Sequence, residues 1–420
     1  MDQAYLAAIH SCPALDPSVR DAFPMTRVLS HGKPYAYLNS AATALKPQVV
    51  LDAMARYYQE YAASVHRGVD QISHRSTMAY ETARQKVASF LNAACPESII
   101  FTSGTTASIN LLALTYGLTH VQAGDEVVLT QNEHHANYVP WQQLCLKQGA
   151  TLRLAELNER GELTAEALEA VMNDKTRIVA CSHMTNVMGA ANDLPALAAV
   201  AHHYGAVLAV DGAQGVVHER PDLSAWDVDF YAFSGHKLYG PTGIGVLYGK
   251  YELLQEMPPL FTGGEMIDRV ERYESSFREA PYRFEAGTPP IAEAIGLGVA
   301  IDFVNQLGYC GMQKKVWQLT QAAMDGLAKI DHIQVYNPSN AFSGVIAFNV
   351  KGVHPHDAAS VYDREGIALR AGHHCSQPTM NWLGCNATLR ASFAIYNTPE
   401  EVERFVETSK KAGDFLDVLF

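Results

Sequence analysis

A lysine closes the segment Ser234-Gly235-His236-Lys237, just past an apolar run and ahead of Gly240, Pro241, Gly243 and Gly245. A lysine facing a cleft from such a turn can be desolvated until its amine is neutral often enough to form a Schiff base. Asp211 ends another apolar run, Val207-Leu-Ala-Val, and can be read two ways. As a buried carboxylate it needs a cationic partner, such as a protonated pyridine nitrogen. As a local feature it caps the helix that follows. Other apolar runs end in Thr105 and Thr106, in His134 and His135, in Asn186, and in Ser234 with His236, while Gln214 follows Asp211. Convergence of these groups describes a polar ligand bearing both an anion and a basic nitrogen. Separately, Gly372-His373-His374-Cys375-Ser376-Gln377-Pro378 places a thiol beside imidazoles, between Arg370 and Arg390. Nearby positive charge raises the thiolate fraction, which is the form that attacks.

The elements that must position these groups are short β-rich runs alternating with helical patterns from about Ser98 to Tyr248. The runs are Ser98–Thr102, Asp125–Thr130, Thr176–Cys181, Val207–Asp211, Phe230–Ser234 and Gly243–Tyr248. Strands this uniformly apolar are buried on both faces, so the centre reads as an α/β sheet with mostly parallel strands. Ligands of such sheets lie beyond the carboxyl ends of the strands, where the reactive residues fall. After about Gly296 the texture changes to a long helix to Asn305, a second from Gln313 to Ile330, strands at Ile333–Tyr336 and Gly344–Asn349, and a closing helix from Pro399 to Phe415. This describes a second, smaller α+β domain. Gly263 to Pro281 is polar and charged and reads as an exposed excursion.

Composition narrows the function classes. The 420 residues include 31 Lys+Arg and 44 Asp+Glu, giving a net charge of −13. With 48% hydrophobic residues, the chain has ample material for a large core. No basic run offers a footprint for nucleic acid or an anionic membrane, so a small molecule or a protein is the expected partner. Seven cysteines at 12, 95, 145, 181, 310, 375 and 385 show no repeating spacing. They do not read as a disulfide framework, and a reducing compartment fits; apart from Cys375 they are expected to be buried and inert, with Cys385 a candidate resolving thiol. The pairs His134-His135, His202-His203 and His373-His374 chelate poorly, because adjacent side chains diverge on strands and helices alike, so no metal site is expected. Gly243-Ile-Gly245 lacks the third glycine of a dinucleotide-binding turn. The N-terminus opens Met1-Asp2-Gln3 without a basic signal region, and the apolar stretch Leu194–Val210 is broken by Pro195, His202, His203 and Gly205. The expectation is a cytoplasmic protein without a membrane span.

Read in order, these segments resemble the class V branch of the aminotransferase-fold enzymes, and within it the SUF-type (group II) cysteine desulfurases. The resemblance is carried by Leu38-Asn-Ser-Ala-Ala42, Val65-His-Arg-Gly68, Ser103-Gly-Thr-Thr106, Glu133-His-His-Ala-Asn137, Asp211-Gly-Ala-Gln214, Ser234-Gly-His-Lys237, Arg283-Phe-Glu-Ala-Gly-Thr288, Arg370-Ala-Gly-His-His-Cys375 and Arg390-Ala-Ser-Phe-Ala-Ile-Tyr-Asn397. It implies an α/β, fold type I, pyridoxal 5'-phosphate-dependent transferase. The implied division is an N-terminal arm, 1–34, packing with the small domain; a large cofactor domain, 35–295; and a small C-terminal domain, 296–420, carrying the nucleophilic cysteine.

By position, the resemblance implies that Lys237 holds the cofactor covalently, Asp211 pairs with its pyridine nitrogen, Gln214 meets its phenolic oxygen and His134 stacks on its ring. The phosphate would be held by Thr105, Thr106, Ser234 and His236, with Thr288 reaching in from a second subunit. Asn186, Arg370, Arg390 and His66 would bind the substrate, L-cysteine. Cys375 would take its sulfur as a persulfide, leave L-alanine, and pass the sulfur to a small acceptor protein for iron–sulfur cluster assembly. A homodimer is implied. Ser376 stands where alanine commonly follows the nucleophile, Pro290 where asparagine is common, and Asn39 where aspartate is frequent. The alternatives are a selenocysteine lyase acting on L-selenocysteine and an inactive scaffold protein; intact Lys237, Asp211 and Cys375 argue against the scaffold.

Overall fold

The computed structural model describes residues 3–339 and 341–414. Its centre is a seven-stranded sheet of β1 (Ile99–Thr102), β2 (Glu126–Thr130), β3 (Thr151–Ala155), β4 (Thr176–Ser182), β5 (Val207–Asp211), β6 (Phe230–Ser234) and β7 (Gly245–Gly249). The order across the sheet is β1-β7-β6-β5-β4-β2-β3. Strands β6, β5, β4, β2 and β3 run parallel, whereas β7 is antiparallel to both of its neighbours. Alternate side chains point to opposite faces. Phe101, Val128, Val179, Leu208 and Phe233 pack under the helices Gln71–Leu91, Leu194–His203 and Ile291–Leu307, while Ile100, Val127, Ile178, Ala209 and Leu247 pack against Thr105–Leu112 and Val139–Gln148. Both faces are covered, which is why the strands other than the edge strand β3 are apolar along their length and carry polar groups mainly at their ends.

A second, wholly antiparallel sheet contains β8 (Ile333–Val335), β9 (Val345–Val350), β10 (Arg370–Gly372) and β11 (Thr388–Ser392), ordered β8-β9-β11-β10. The helices Tyr309–Leu327, Pro355–Arg364 and Pro399–Lys411 enclose its own core around Phe348, Tyr362 and Phe405. Thr398 and Glu401 form a reciprocal capping box that starts the last helix. The expected end of that helix at Phe415 lies outside the described residues. Near the N-terminus, Ala36–Tyr37 pairs in parallel with Ile367–Ala368, and Arg20 bridges to Glu401.

Several expectations are corrected. The boundary set at 295 falls inside the helix Ile291–Leu307, whose Ile291, Ile295, Leu297 and Val304 belong to the core of the large sheet. The strand β3 was not foreseen, because as an edge strand it alternates exposed with half-buried residues. Cys12 and Cys310 are disulfide-bonded, with Cα atoms 5.4 Å apart and a sequence separation of 298. Spacing along the chain carries no sign of that pairing, which arises because the segment Gln3–Ser11 packs on Tyr309–Leu327 and Lys314 Nζ donates to the Cys12 carbonyl at 2.5 Å. Cys145 and Cys181 are buried as expected, but Cys95 and Cys385 are half-buried. Gly263–Pro281 projects an exposed hairpin, Ile267–Val270 with Ser275–Phe277. Among the described residues no single helix is long and apolar enough to cross a membrane.

Candidate active site

The register of the large sheet brings two loops together. Gly245 pairs with Thr102 on one side and Ser234 on the other, and a Cβ on Gly245 would lie 2.3 Å from the Gly104 Cα, so only glycine admits this approach. The first turn of Thr105–Leu112 thereby meets the end of β6. The Thr105 amide donates to Ser234 Oγ at 2.8 Å, and the two hydroxyls share a second bond of 2.8 Å. Amides at a helix start, flanked by these hydroxyls and by Thr106, form an anion site.

Lys237 ends the turn that follows β6. Its loop is anchored by Gly235 N to Ile244 O at 2.9 Å, and the His236 carbonyl accepts from Ala44 N at 3.0 Å and Lys46 Nζ at 2.9 Å. Burial lowers the Lys237 amine to about 8, against the opposing pull of Asp211. Burial raises the Asp211 carboxyl, with Lys237 resisting. Asp211 does not act as a helix cap: the next helix starts at Gly215 behind Gln214, and Asp211 Oδ1 accepts from Ala213 N at 2.9 Å. Across from it, His134 Nδ1 accepts from Ala136 N at 3.1 Å, which leaves the ring proton on Nε2. Burial, then Lys237, lowers His134 to about 3, so the imidazole is neutral at physiological pH.

The opposite wall belongs to the small sheet. Arg370 and Arg390 are direct cross-strand partners, an arrangement of like charges that is unfavourable by itself. Arg390 is fully buried; its Nη1 donates to the Asn186 carbonyl at 2.8 Å, while Nε and Nη2 meet no partner among the described residues. Burial and then Arg370 lower Arg390 to about 9, still cationic at neutral pH. Asn186 Nδ2 donates to the His374 carbonyl at 2.8 Å, and its Oδ1 is likewise unpartnered. A guanidinium edge, a second arginine and an amide oxygen together call for a carboxylate beside an amine or hydroxyl. Above them, His374 and Cys375 stand consecutively in the left-handed region, at φ 54° and 58°. Arg370 Nη2 donates to Cys375 Sγ at 3.1 Å.

Thr105, Thr106, His134, Asn186, Asp211, Ser234, His236, Lys237, Arg370 and Arg390 enclose one cavity of about 210 Å³. Cys375 lines an adjoining groove of about 490 Å³ that shares Thr106 and His134 with it.

The aminotransferase class-V family model matches residues 36–405. The chain belongs to the class-V aminotransferase family. It is 46% identical over 402 residues to the "Probable cysteine desulfurase" of Halalkalibacterium halodurans, covering 96% of this chain and 99% of that one. Among solved structures, the cysteine desulfurase CsdA from Escherichia coli, as the S-sulfonic acid, superposes with a TM-score of 0.89 at 40% identity, covering 97% of this chain and 100% of that one. The apo cysteine desulfurase from Thermococcus onnurineus gives a TM-score of 0.90 at 38% identity, covering 96% and 99%.

Class-V enzymes use pyridoxal phosphate, and the residues present fit it. The cavity pairs an anion site at a helix start with a depressed lysine amine and a buried carboxylate. The orphaned polar edges of Arg390 and Asn186 remain for a substrate carboxylate. Three other residues named from the sequence do not line that cavity: Gln214, His66, and Thr288, the last read as serving a second subunit. Gln214 Nε2 donates to the Ala41 carbonyl at 2.7 Å, and Gln214 lines an adjoining cavity of about 20 Å³ that shares Ala41 and Lys237 with the first. His66 pairs with Glu81 at 2.7 Å, and Thr288 is exposed on a groove with Phe261 and Phe284.

Sequence reasoning passed over Glu133. Fully buried, its carboxylate accepts from Ser182 Oγ at 2.5 Å, Ser182 N at 3.1 Å and Asn137 Nδ2 at 2.8 Å, locking the ends of β2 and β4 together beneath His134. Burial raises its carboxyl to about 7. An acid immediately preceding the histidine pair at the end of a buried strand was the available signal.

Proposed function

We propose that this chain is a cytoplasmic cysteine desulfurase that moves the sulfur of L-cysteine onto Cys375, releases L-alanine, and delivers the sulfur to a small acceptor protein. The observation that carries the reading is Cys375 on its left-handed turn, paired with Arg370, at the rim of the cavity that contains Lys237. A transamination site has no need of that thiol. Similarity to proteins described as cysteine desulfurases supports the same substrate.

In this reading Lys237 would hold pyridoxal phosphate covalently, Asp211 would pair with its ring nitrogen, His134 would stack on its ring, and Thr105, Thr106, Ser234 and His236 would hold the phosphate. When bound, the cofactor supplies an electron sink for a carbanion at the substrate Cα. Arg390 and Asn186 fix the substrate carboxylate, which orients the Cα–H bond. Lys237 Nζ accepts the Cα proton, a task suited to an amine near 8. The Cys375 thiolate, stabilised by Arg370, attacks the substrate sulfur. An S–S bond forms as the Cβ–S bond breaks, its electron pair stays with the carbon skeleton, Cβ takes up a proton from solvent, and Lys237 Nζ returns its proton to Cα to complete alanine. The proposed assembly is a homodimer in which Thr288 serves the phosphate of the neighbouring subunit.

Mass spectrometry of Cys375 after incubation with L-cysteine tests this reading. The expected result is the gain of one sulfur atom; alanine release with Cys375 unmodified throughout would overturn it. Covalent attachment of the cofactor has its own signature. Because the neutral Lys237 amine is required, the attachment rate in apoprotein should rise with pH and level off above about 8. Asp211→Asn removes the charge that holds the amine up, so the rise should move to lower pH. Stopped-flow absorbance measures both profiles; a rate still climbing toward the ordinary lysine value of 10.5 would contradict the assignment.

A further inference from the structure

We propose that Ser376 is a positioning residue, whose buried hydroxyl bolts the turn carrying Cys375 to the strand end carrying His134. The inference rests on the desulfurase reading above and extends it to how the thiol is aimed.

Ser376 occupies the N-cap of the helix Gln377–Trp382, where a serine ordinarily accepts from an amide two or three residues ahead. Its side chain makes no such bond. Fully buried, the hydroxyl instead donates to the Glu133 carbonyl at 2.8 Å and shares a bond of 2.5 Å with Thr379 Oγ1. The local helix forgoes its cap, and the bond crosses from one domain to the other. It has company: His135 N donates to the Cys375 carbonyl at 2.7 Å, and Gln377 N donates to His135 Nε2 at 3.1 Å. The nucleophile turn and the ring-covering His134 therefore share one mount.

Such a mount answers a physical need. Two consecutive non-glycine residues in the left-handed region persist only where their surroundings overdetermine them. The His135 backbone amide and the Asn186 side-chain amide fix the carbonyls of Cys375 and His374. Ser376 supplies the side-chain anchor immediately after them. Displacement of the thiol by even an ångström would misalign it with the substrate sulfur.

The test compares holoenzyme carrying Ser376→Ala and Ser376→Thr with the parent. For Ser376→Ala, single-turnover sulfur transfer to Cys375 should fall about tenfold to a hundredfold. KM for L-cysteine and the absorbance of bound cofactor should stay unchanged, and the amides of residues 374–377 should exchange hydrogen faster. Ser376→Thr, which keeps the hydroxyl, should recover most of the rate. Unchanged transfer and exchange in Ser376→Ala, an equal loss in KM and cofactor absorbance, or failure of the threonine to recover the rate would each overturn the proposal. A parent enzyme that never gains sulfur on Cys375 would fault the desulfurase reading instead, and the exchange rates would still report the tether.

Discussion

Lys237→Ala is expected to abolish alanine formation from L-cysteine, a loss on the order of 10⁴-fold or more, because in the proposed mechanism one side chain is both the covalent anchor and the proton acceptor. The physical effect extends beyond the missing amine. Lys237 is the group that counters the burial-driven rise of the Asp211 carboxyl. Without it Asp211 rises further and becomes a poorer partner for a protonated ring nitrogen, so cofactor affinity should fall as well. Borohydride treatment followed by mass spectrometry checks the anchor: the parent should retain the cofactor on the peptide containing Lys237, and the variant should retain none. A variant that still fixes cofactor, or turns over within tenfold of the parent, would place the anchor on another lysine; Lys46, lowered to about 8 by burial, is the one to examine.

Cys375→Ser should leave cofactor binding intact and lower sulfur transfer by roughly 10³-fold or more, since the proposed mechanism makes its sulfur the atom that forms the new bond. Serine is the informative substitution. It keeps an acceptor for Arg370 Nη2, which reaches Sγ at 3.1 Å, and asks nothing new of the backbone at φ 58°. Any loss therefore reports on chemistry rather than on the turn. Spectral changes on adding L-cysteine should persist, because Lys237, Arg390 and Asn186 are untouched. Sulfur released at the parental rate would send the mechanism through a different thiol, and the half-buried Cys385 would then be the first to replace.

The strand ends were readable because burial on both faces removes polar residues from every position except those with a task. Asp211 and Lys237 stand out against Val207–Val210 and Phe230–Phe233 for that reason. The pairing of Arg370 with Arg390 was not readable: each was a plausible carboxylate ligand, but only the register of β10 on β11 shows that they oppose each other and share one need for an anion. Ser376 was noticed for its identity and not for its role, since a hydroxyl that reaches across domains looks in sequence like an ordinary helix cap. The Cys12–Cys310 bond depends on helix packing over a separation of 298 residues, which no local pattern encodes. Thr288 and His66 carried expectations that the geometry of one chain leaves outside the cavity.

The strand β1 lies at the edge of the large sheet and is hydrogen-bonded within it only to β7, whose residues come far later in the chain. During synthesis Ile99–Thr102 therefore leaves the ribosome as an unpaired apolar edge, the kind of segment that aggregates or recruits a chaperone. The glycine contact that shapes the anion-holding turn forms only once Gly245 has emerged. Cys375 and Arg390 emerge later still. The segments from Thr105 to Lys237 that line the cavity are thus synthesised, and their strands paired, ahead of the segment that carries the thiol.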